Sequence, residues 1–384
     1  MNITRLPLIA ATMLTVLVGA CSQPLDILLT PQFGTSGNDS GNEISAGSGS
    51  VYMLGTWGDK EKLFRFGSAG NLPWFQGFAP KPGDDTIGFG GLVQTVSGNV
   101  VALYSSSHDD YGDENSGGGD VPITTTRLLL KKVAPTGKAV WERTLLTTTE
   151  IVFQNDFQLE QDKAGNLYVA VGGDVGQLRK YDAKGSLLWQ KAVPGILWKL
   201  AVSPGGLVFT SEVVSDGKNA STSLVRYSPS GARLGATNVP FVVLELSASR
   251  DSEVYVSGSS KGSYPVSVNH LAKYSAQGKN LWLKTFRQAE YGWRAEDVAA
   301  DPQGNVVVSL SDGYDRGILE KYTASGTKLW SKTLDQPVQD VSVFGPSAIY
   351  VSGATTRKVH GVNRGLEDGY LLRLDGSGKQ VWIR

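Results

Sequence analysis

The feature that most constrains this chain is internal repetition, because a unit repeated in register must find its burial partners in its own copies. A phrase of Leu, one residue, then Lys or Arg recurs seven times. Its leucines are Leu63, Leu130, Leu178, Leu224, Leu271, Leu319 and Leu371. Its bases are Arg65, Lys132, Lys180, Arg226, Lys273, Lys321 and Arg373. A turn glycine follows at Gly70, Gly137, Gly185, Gly231, Gly278, Gly326 and Gly378, and apart from one longer step these recur every 46 to 52 residues. Four residues on stands a tryptophan in six copies, Trp74, Trp141, Trp189, Trp282, Trp330 and Trp382, while the fourth copy has Gly235.

Before each phrase runs a β-branched and aromatic stretch, with Tyr52, Tyr168, Tyr255 and Tyr350 at one column. Turn residues such as Asp162 to Asn166 and Asp301 to Asn305 introduce several of these runs, and a short alternating stretch precedes each turn. Four strands at this period describe the blade of a propeller. The tyrosine run reads as a central strand buried on both faces, and the Leu-x-base strand alternates sides. The tryptophan strand completes a hairpin, its ring filling the gap between neighbouring blades. One four-stranded sheet cannot hide both faces, so the copies must cover one another. The expected fold is all-β, a seven-bladed β-propeller of four-stranded antiparallel blades over residues 43–384, expected to be monomeric. The recurrent bases read as snorkelling side chains that cover blade faces.

The 384 residues carry 36 basic and 36 acidic side chains, which gives no electrostatic reason to expect nucleic acid or an anionic membrane surface as partner. The single cysteine, Cys21, excludes an intrachain disulfide and any multi-cysteine metal site. Its position is informative. Arg5 precedes a mostly apolar run from Leu6 to Val18, too short to span a bilayer, and Val18, Gly19 and Ala20 lead into the cysteine. This resembles the bacterial lipobox, which implies a signal peptide over 1–20, cleavage after Ala20 and lipid on the Cys21 sulfur and amino group. Multiple acyl chains hold a protein firmly to a bilayer, at about 0.8 kcal/mol per buried methylene. Residues 21–42 then form a tether rich in Gly, Ser and Pro. Ser22 after the cysteine points to the outer membrane by analogy with two-membrane bacteria.

Several motifs resemble SBBP repeats, a bacterial seven-bladed propeller family. Phe33 to Asp39 (Phe-Gly-Thr-Ser-Gly-Asn-Asp) looks like that repeat's start, and Val351 to Gly353, Asp368 to Arg373 and Asp375 to Gly378 look like its later parts. Most copies lack the family's Gly-Gly-x-Asp lead into the third strand. The Gly-x-x-x-Trp turn is also similar to PQQ-type propellers, which include quinoprotein dehydrogenases and an outer-membrane lipoprotein of the β-barrel assembly machinery.

No strong catalytic signature accompanies the repeat, and no cofactor is expected. There is no Gly-x-Ser-x-Gly elbow and no Walker-type phosphate loop. His108, His270 and His360 lie in different repeats without zinc-like spacing and read as solvated loop or strand residues. Residues 105–120 form an acidic insertion in which Asp109, Asp110, Asp113 and Asp120 are a weak calcium candidate, since their spacing does not match an EF-hand. Phe157, Trp198, Phe241, Tyr291 and Trp293, with Glu245, Asp297 and Asp340, break the repeat and are the candidate binding mouth around the axis. The expected function is a membrane-tethered, non-catalytic propeller that binds a protein or glycan in the cell envelope. The alternatives are a barrel-assembly lipoprotein of the PQQ-repeat type and a carbohydrate-active enzyme using channel carboxylates. For ring closure, the segment from Asp26 to Phe33 is a candidate to pair beside the last strand.

Overall fold

The computed structural model describes residues 39–384, apart from residue 59 and the segments 111–122, 150–156, 173–175, 194–195, 216–219, 262–266, 288–292, 313–314 and 358–366. Blade 1 contains β1 (Glu43–Gly47), β2 (Ser50–Thr56), β3 (Glu61–Gly67) and β4 (Trp74–Gly77). Blade 2 contains β5 (Thr86–Gln94), β6 (Val100–Asp110), β7 (Ile123–Val133) and β8 (Ala139–Thr148). Blade 3 is β9 (Phe157–Gln161), β10 (Leu167–Val171), β11 (Gln177–Tyr181) and β12 (Leu187–Ala192). Blade 4 is β13 (Ile196–Val202), β14 (Val208–Ser215), β15 (Ala220–Tyr227) and β16 (Arg233–Val239). Blade 5 is β17 (Val242–Ala248), β18 (Val254–Lys261), β19 (Ser267–Tyr274) and β20 (Asn280–Arg287). Blade 6 is β21 (Arg294–Ala300), β22 (Val306–Ser311), β23 (Gly317–Tyr322) and β24 (Lys328–Leu334). Blade 7 is β25 (Asp340–Phe344), β26 (Ala348–Thr355), β27 (Asp368–Leu374) and β28 (Gln380–Ile383). Every sheet is a meander of four consecutive antiparallel strands, so the seven-bladed propeller is as expected.

The core is distributed, each hydrophobic cluster bridging adjacent blades. One cluster joins Phe209 and Leu224 of blade 4 to Val243, Val254 and Tyr274 of blade 5. Another joins Ile44, Met53 and Phe64 of blade 1 to Tyr350, Leu371 and Trp382 of blade 7. The central strands β10 and β26 are buried throughout, and β2 up to its last residue, Thr56, as a sheet covered on both faces requires.

The repeated phrase turns out to be a latch between blades. The carbonyl two residues before each turn glycine accepts from the base, the tryptophan, or both, of the preceding blade. Pro229 O accepts from Lys180 Nζ (3.1 Å) and Trp189 Nε1 (3.0 Å), and Ala324 O from Lys273 Nζ (3.1 Å) and Trp282 Nε1 (3.0 Å). Gly376 O takes Trp330 (3.1 Å) and Lys321 (3.5 Å). Trp74 reaches Pro135 O (2.8 Å) and Lys132 reaches Ala183 O (3.2 Å). The sequence reading of these bases as snorkelling therefore needs correction. Lys180, Lys273 and Lys321 are buried, and their ammonium groups are held by carbonyls and by carboxylates of Asp162, Glu253 and Asp301.

The turn glycines are fixed by the same contact. Gly326 has φ +85°, and a Cβ there would stand 3.1 Å from the Trp282 indole and from the Lys284 stem. Only glycine suits both the backbone and the approach. In blade 4, where Gly235 replaces tryptophan, the Arg226 guanidinium fills the vacated space. A Cβ on Gly235 would lie 2.6 Å from Arg226 Nη2, and Arg226 donates to Ala276 O at 3.1 Å.

The ring closes by the same latch and not by strand exchange within the described residues. Arg373 (2.8 Å) and Trp382 (3.0 Å) of blade 7 both donate to Ser68 O of blade 1. Arg384 adds bonds to Gly70 O and Ala69 O. The segment Asp26–Phe33, the candidate for pairing beside the last strand, lies outside the described residues.

Candidate functional site

The innermost strands surround an axial cavity of about 340 Å3. Each inner strand places one residue at a common position, immediately before a buried aliphatic. Going round the ring, that position holds Glu43, Gly91, Gln158, Lys199, Glu245, Asp297 and Asp340, all lining the cavity. Two residues further on are Ser45, Val93, Glu160, Ser247, Ala299 and Ser342, which line it too. In four strands the residue before the ring position is a β-bulge, at Gly90, Trp198, Leu244 and Glu296. A bulge re-aims the residue after it, here turning the side chain to the axis.

Inner strands of different blades do not pair with one another. Their axial N–H groups are instead satisfied by side chains of the preceding blade. Val341 N donates to Asp297 Oδ2 (2.7 Å), Ile44 N to Asp340 Oδ2 (2.5 Å) and Leu200 N to Gln158 Oε1 (2.6 Å). One layer further on, Ala46 N, Gln94 N and Ala300 N donate to the hydroxyls of Ser342, Ser45 and Ser247. Some channel polars are thus structural stitches. Glu43 and Glu160 do not cap a neighbouring blade in this way.

Few of these acids can be ionised together. Burial pushes Glu43 up to about 7, helped by the charges of Glu245 and Asp297. Burial also raises Glu160 to about 8, with Glu245, Asp297 and Glu43 adding to the shift. Glu245 is raised to about 7 although it pairs with Lys199, because desolvation outweighs the lysine. Asp340 is raised by burial and by Asp297 and Glu43. Burial alone would lower Lys199, but the surrounding carboxylates raise it. The arrangement is one cation among carboxylates that share protons near neutral pH. It can receive a cationic or hydroxyl-rich group, and it can exchange protons.

The sequence candidates are distributed unevenly around this cavity. Glu245, Asp297 and Asp340 line it, as does Phe157, whose ring is buried against Gly90. Trp198 sits on a bulge and is 38 % exposed, outside the cavity lining. Phe241 is buried and stacked on His270 (4.7 Å between centroids), and Trp293 lies beneath the Arg316 guanidinium. Tyr291 lies outside the described residues. Sequence reasoning missed Glu43, Glu160, Lys199 and Glu296. The signal was present as a polar residue before an aliphatic-small pair: Glu43-Ile-Ser, Lys199-Leu-Ala, Glu245-Leu-Ser.

His270 also departs from the solvated reading. It is buried, with Ser260 Oγ 2.8 Å from Nε2 and Thr285 Oγ1 3.2 Å from Nδ1, and desolvation lowers its pKa. His108 faces Asp85, and His360 lies outside the described residues. Of the calcium candidates, Asp109 accepts from Thr124 Oγ1 at 2.7 Å, Asp110 ends β6, and Asp113 and Asp120 lie outside the described residues. Among the described residues, no group of three or more His, Cys, Asp or Glu side chains could hold a metal ion, and no helix is long and apolar enough to cross a membrane.

No family model and no curated protein sequence matches the chain. Solved structures do resemble it. The WD40 domain of Toxoplasma gondii coronin matches at 12 % identity and a TM-score of 0.52, covering 93 % of this chain and 83 % of that one. The polysaccharide lyase Uly1 matches at 12 % identity and a TM-score of 0.52, covering 88 % and 90 %. BamB from Moraxella catarrhalis matches at 12 % identity and a TM-score of 0.43, covering 81 % and 82 %. At such identities likeness speaks to the fold alone, and the chain is a seven-bladed β-propeller similar to proteins of diverse function.

Proposed function

We propose that this chain is a lipid-anchored, non-catalytic propeller of the bacterial cell envelope whose acidic axial mouth binds a protein partner by receiving a cationic side chain. The single observation that carries the reading is the composition of the inner ring. Glu43, Glu160, Glu245, Asp297 and Asp340 surround one lysine, although the whole chain is neutral. Asp297 and Asp340 also stitch the next blade, but packing of the common blade does not demand Glu43, Glu160 or Glu245, whose positions differ in residue from blade to blade. The tether reading rests on the lipobox pattern ending at Cys21. Mass spectrometry of the chain purified from a bacterial envelope tests it, since an unacylated Cys21 would end that part of the proposal.

Crosslinking in the native envelope, read by mass spectrometry, tests the mouth. Glu43→Gln with Glu160→Gln keeps shape and removes two carboxyls that an entering cation would draw into the ionised form, so partner capture should fall at least about tenfold. Capture unchanged in this double variant would move the binding surface away from the axis. A barrel-assembly role predicts co-purification with the outer-membrane assembly complex. A second reading, acid–base chemistry on a glycan, is favoured by one observation: several carboxyls that hold protons near neutrality beside the ionised-form stabiliser Lys199. It predicts glycan cleavage that is lost in Glu160→Gln.

A further inference from the structure

We propose that the outer wall of blades 5 to 7 is a second interaction surface, which lies against an anionic lipid surface. The inference rests in part on the tether reading above. It starts from a charge separation that the neutral total conceals. Acids line the axis, whereas the outermost strands β20 and β24 carry Lys284, Lys328 and Lys332 and no acidic residue. The uncharged β28 is flanked by Lys379 and Arg384.

Exposed aliphatics accompany these bases at one repeated position, the residue before the latch tryptophan. Leu281 is 43 % exposed, Leu329 51 % and Val381 49 %. The tryptophan of each pair packs against the next blade's turn, so alternation places its neighbour on the opposite face of the strand, where it is exposed. Two residues after the tryptophan come Lys284 and Lys332. The Lys284 stem packs against Gly326, and among the described residues neither ammonium makes an ion pair. Lys328, by contrast, is held by Glu320 at 2.7 Å. Apolar stems and side chains with free ammonium heads above them suit the boundary between headgroups and acyl chains.

Position favours lipid over an acidic polypeptide. The chain joins the fold at the blade 7 side of the ring, where Asp39 N donates to Glu367 O (3.0 Å) just before β27. The stretch from Cys21 to Asp39 spans at most about 60 Å when extended. An anchored propeller is therefore kept within reach of the bilayer, and a weak surface suffices at the high effective concentration that a short tether imposes.

The test uses residues 22–384, which retain all seven blades and every latch, including the one that closes the ring, but lack the cysteine. Co-sedimentation is measured with phosphatidylcholine vesicles containing or lacking phosphatidylglycerol. Binding is expected only to the anionic vesicles and should be released by salt. Lys284→Glu with Lys332→Glu should lower the partition coefficient at least about tenfold, at roughly fivefold per basic residue lost. A Leu329→Ser variant should weaken binding without changing its salt dependence. Glu43→Gln in the channel should leave it unchanged, which separates this surface from the proposed mouth. Equal binding to neutral vesicles, no binding to either, or a charge-reversed variant that binds as well as the parent would overturn the proposal. Retention by an acidic polypeptide without vesicle binding would overturn it in favour of a protein partner. An unacylated Cys21 would remove the tether yet leave the vesicle result standing on its own.

Discussion

The latch at the rim and the ring at the axis are both built once per blade, yet they obey opposite rules. At the rim the same three groups recur: a base, a tryptophan and a turn carbonyl, with Pro229, Ala324, Gly376 and Ser68 as acceptors. At the axis every blade has one position, but its occupants run from Gly91 through Gln158 and Lys199 to four acids, Glu43, Glu245, Asp297 and Asp340. The rim must hold seven equal wedges together, so drift is penalised at each junction. The axis needs only that its strands' N–H groups find acceptors, which serine, glutamine or aspartate all provide. Identity is therefore free to vary where the cavity is, which is what a binding site requires.

This contrast predicts where substitutions will be felt. The largest effect is expected at the rim. Trp282→Ala removes a ring wedged under the next blade's glycine turn and an indole bond, and should cost about 3 kcal/mol in chemical denaturation. A loss no larger than that of an exposed residue would dissolve the distinction. Next comes blade 4, where Arg226 does alone what a base and a tryptophan share elsewhere. Arg226→Ala should cost about 2 kcal/mol, and Lys273→Ala, backed by Trp282, about half that. Equal costs would mean that Arg226 has not taken over the missing ring's place.

The smallest effect is expected at the axis and is read through pH. Glu160 has its pKa raised from 4.5 to about 8, so the folded protein holds this proton more tightly than the unfolded chain. That stability is fully present below pH 4.5 and is lost as pH rises through 8. The folded protein should therefore weaken between about pH 5 and 8.5, by about 1 kcal/mol for this group after allowance for channel water. Glu160→Gln should flatten the profile and be neutral or stabilising at the alkaline end. A stability that rises over this interval would show that the acids are better solvated than the cavity suggests.

The same contrast explains what was legible in the sequence. Seven copies of Leu, base and glycine announced a closed ring because one packing problem was solved seven times, and β1 to β28 follow the repeat. The role of the bases was not legible. Lys180 and Lys273 have the same letter as a solvated lysine, and only the approach of the next blade's turn shows that their heads are buried. The axial acids were half legible. Glu245, Asp297 and Asp340 stood out against the repeat, but Glu43 and Glu160 come from strands that pair in continuous register without a bulge, and the phase of those strands is set by pairing. Trp198 looked like a mouth residue because it breaks the repeat, yet the bulge that turns Lys199 to the axis takes Trp198 off it.

One latch joins residues far apart in the chain. Six junctions connect groups some 40 to 60 residues apart, whereas the bond from Arg373 to Ser68 spans 305 positions. Fetching those partners together through an unstructured chain carries an entropic cost of about 1.5 kcal/mol beyond a neighbouring junction. Once the other six have formed, the arc itself delivers the two ends. The molecule thus has a built-in clasp between its first and last sheets, the one junction whose partners come from opposite ends of the ring's sequence.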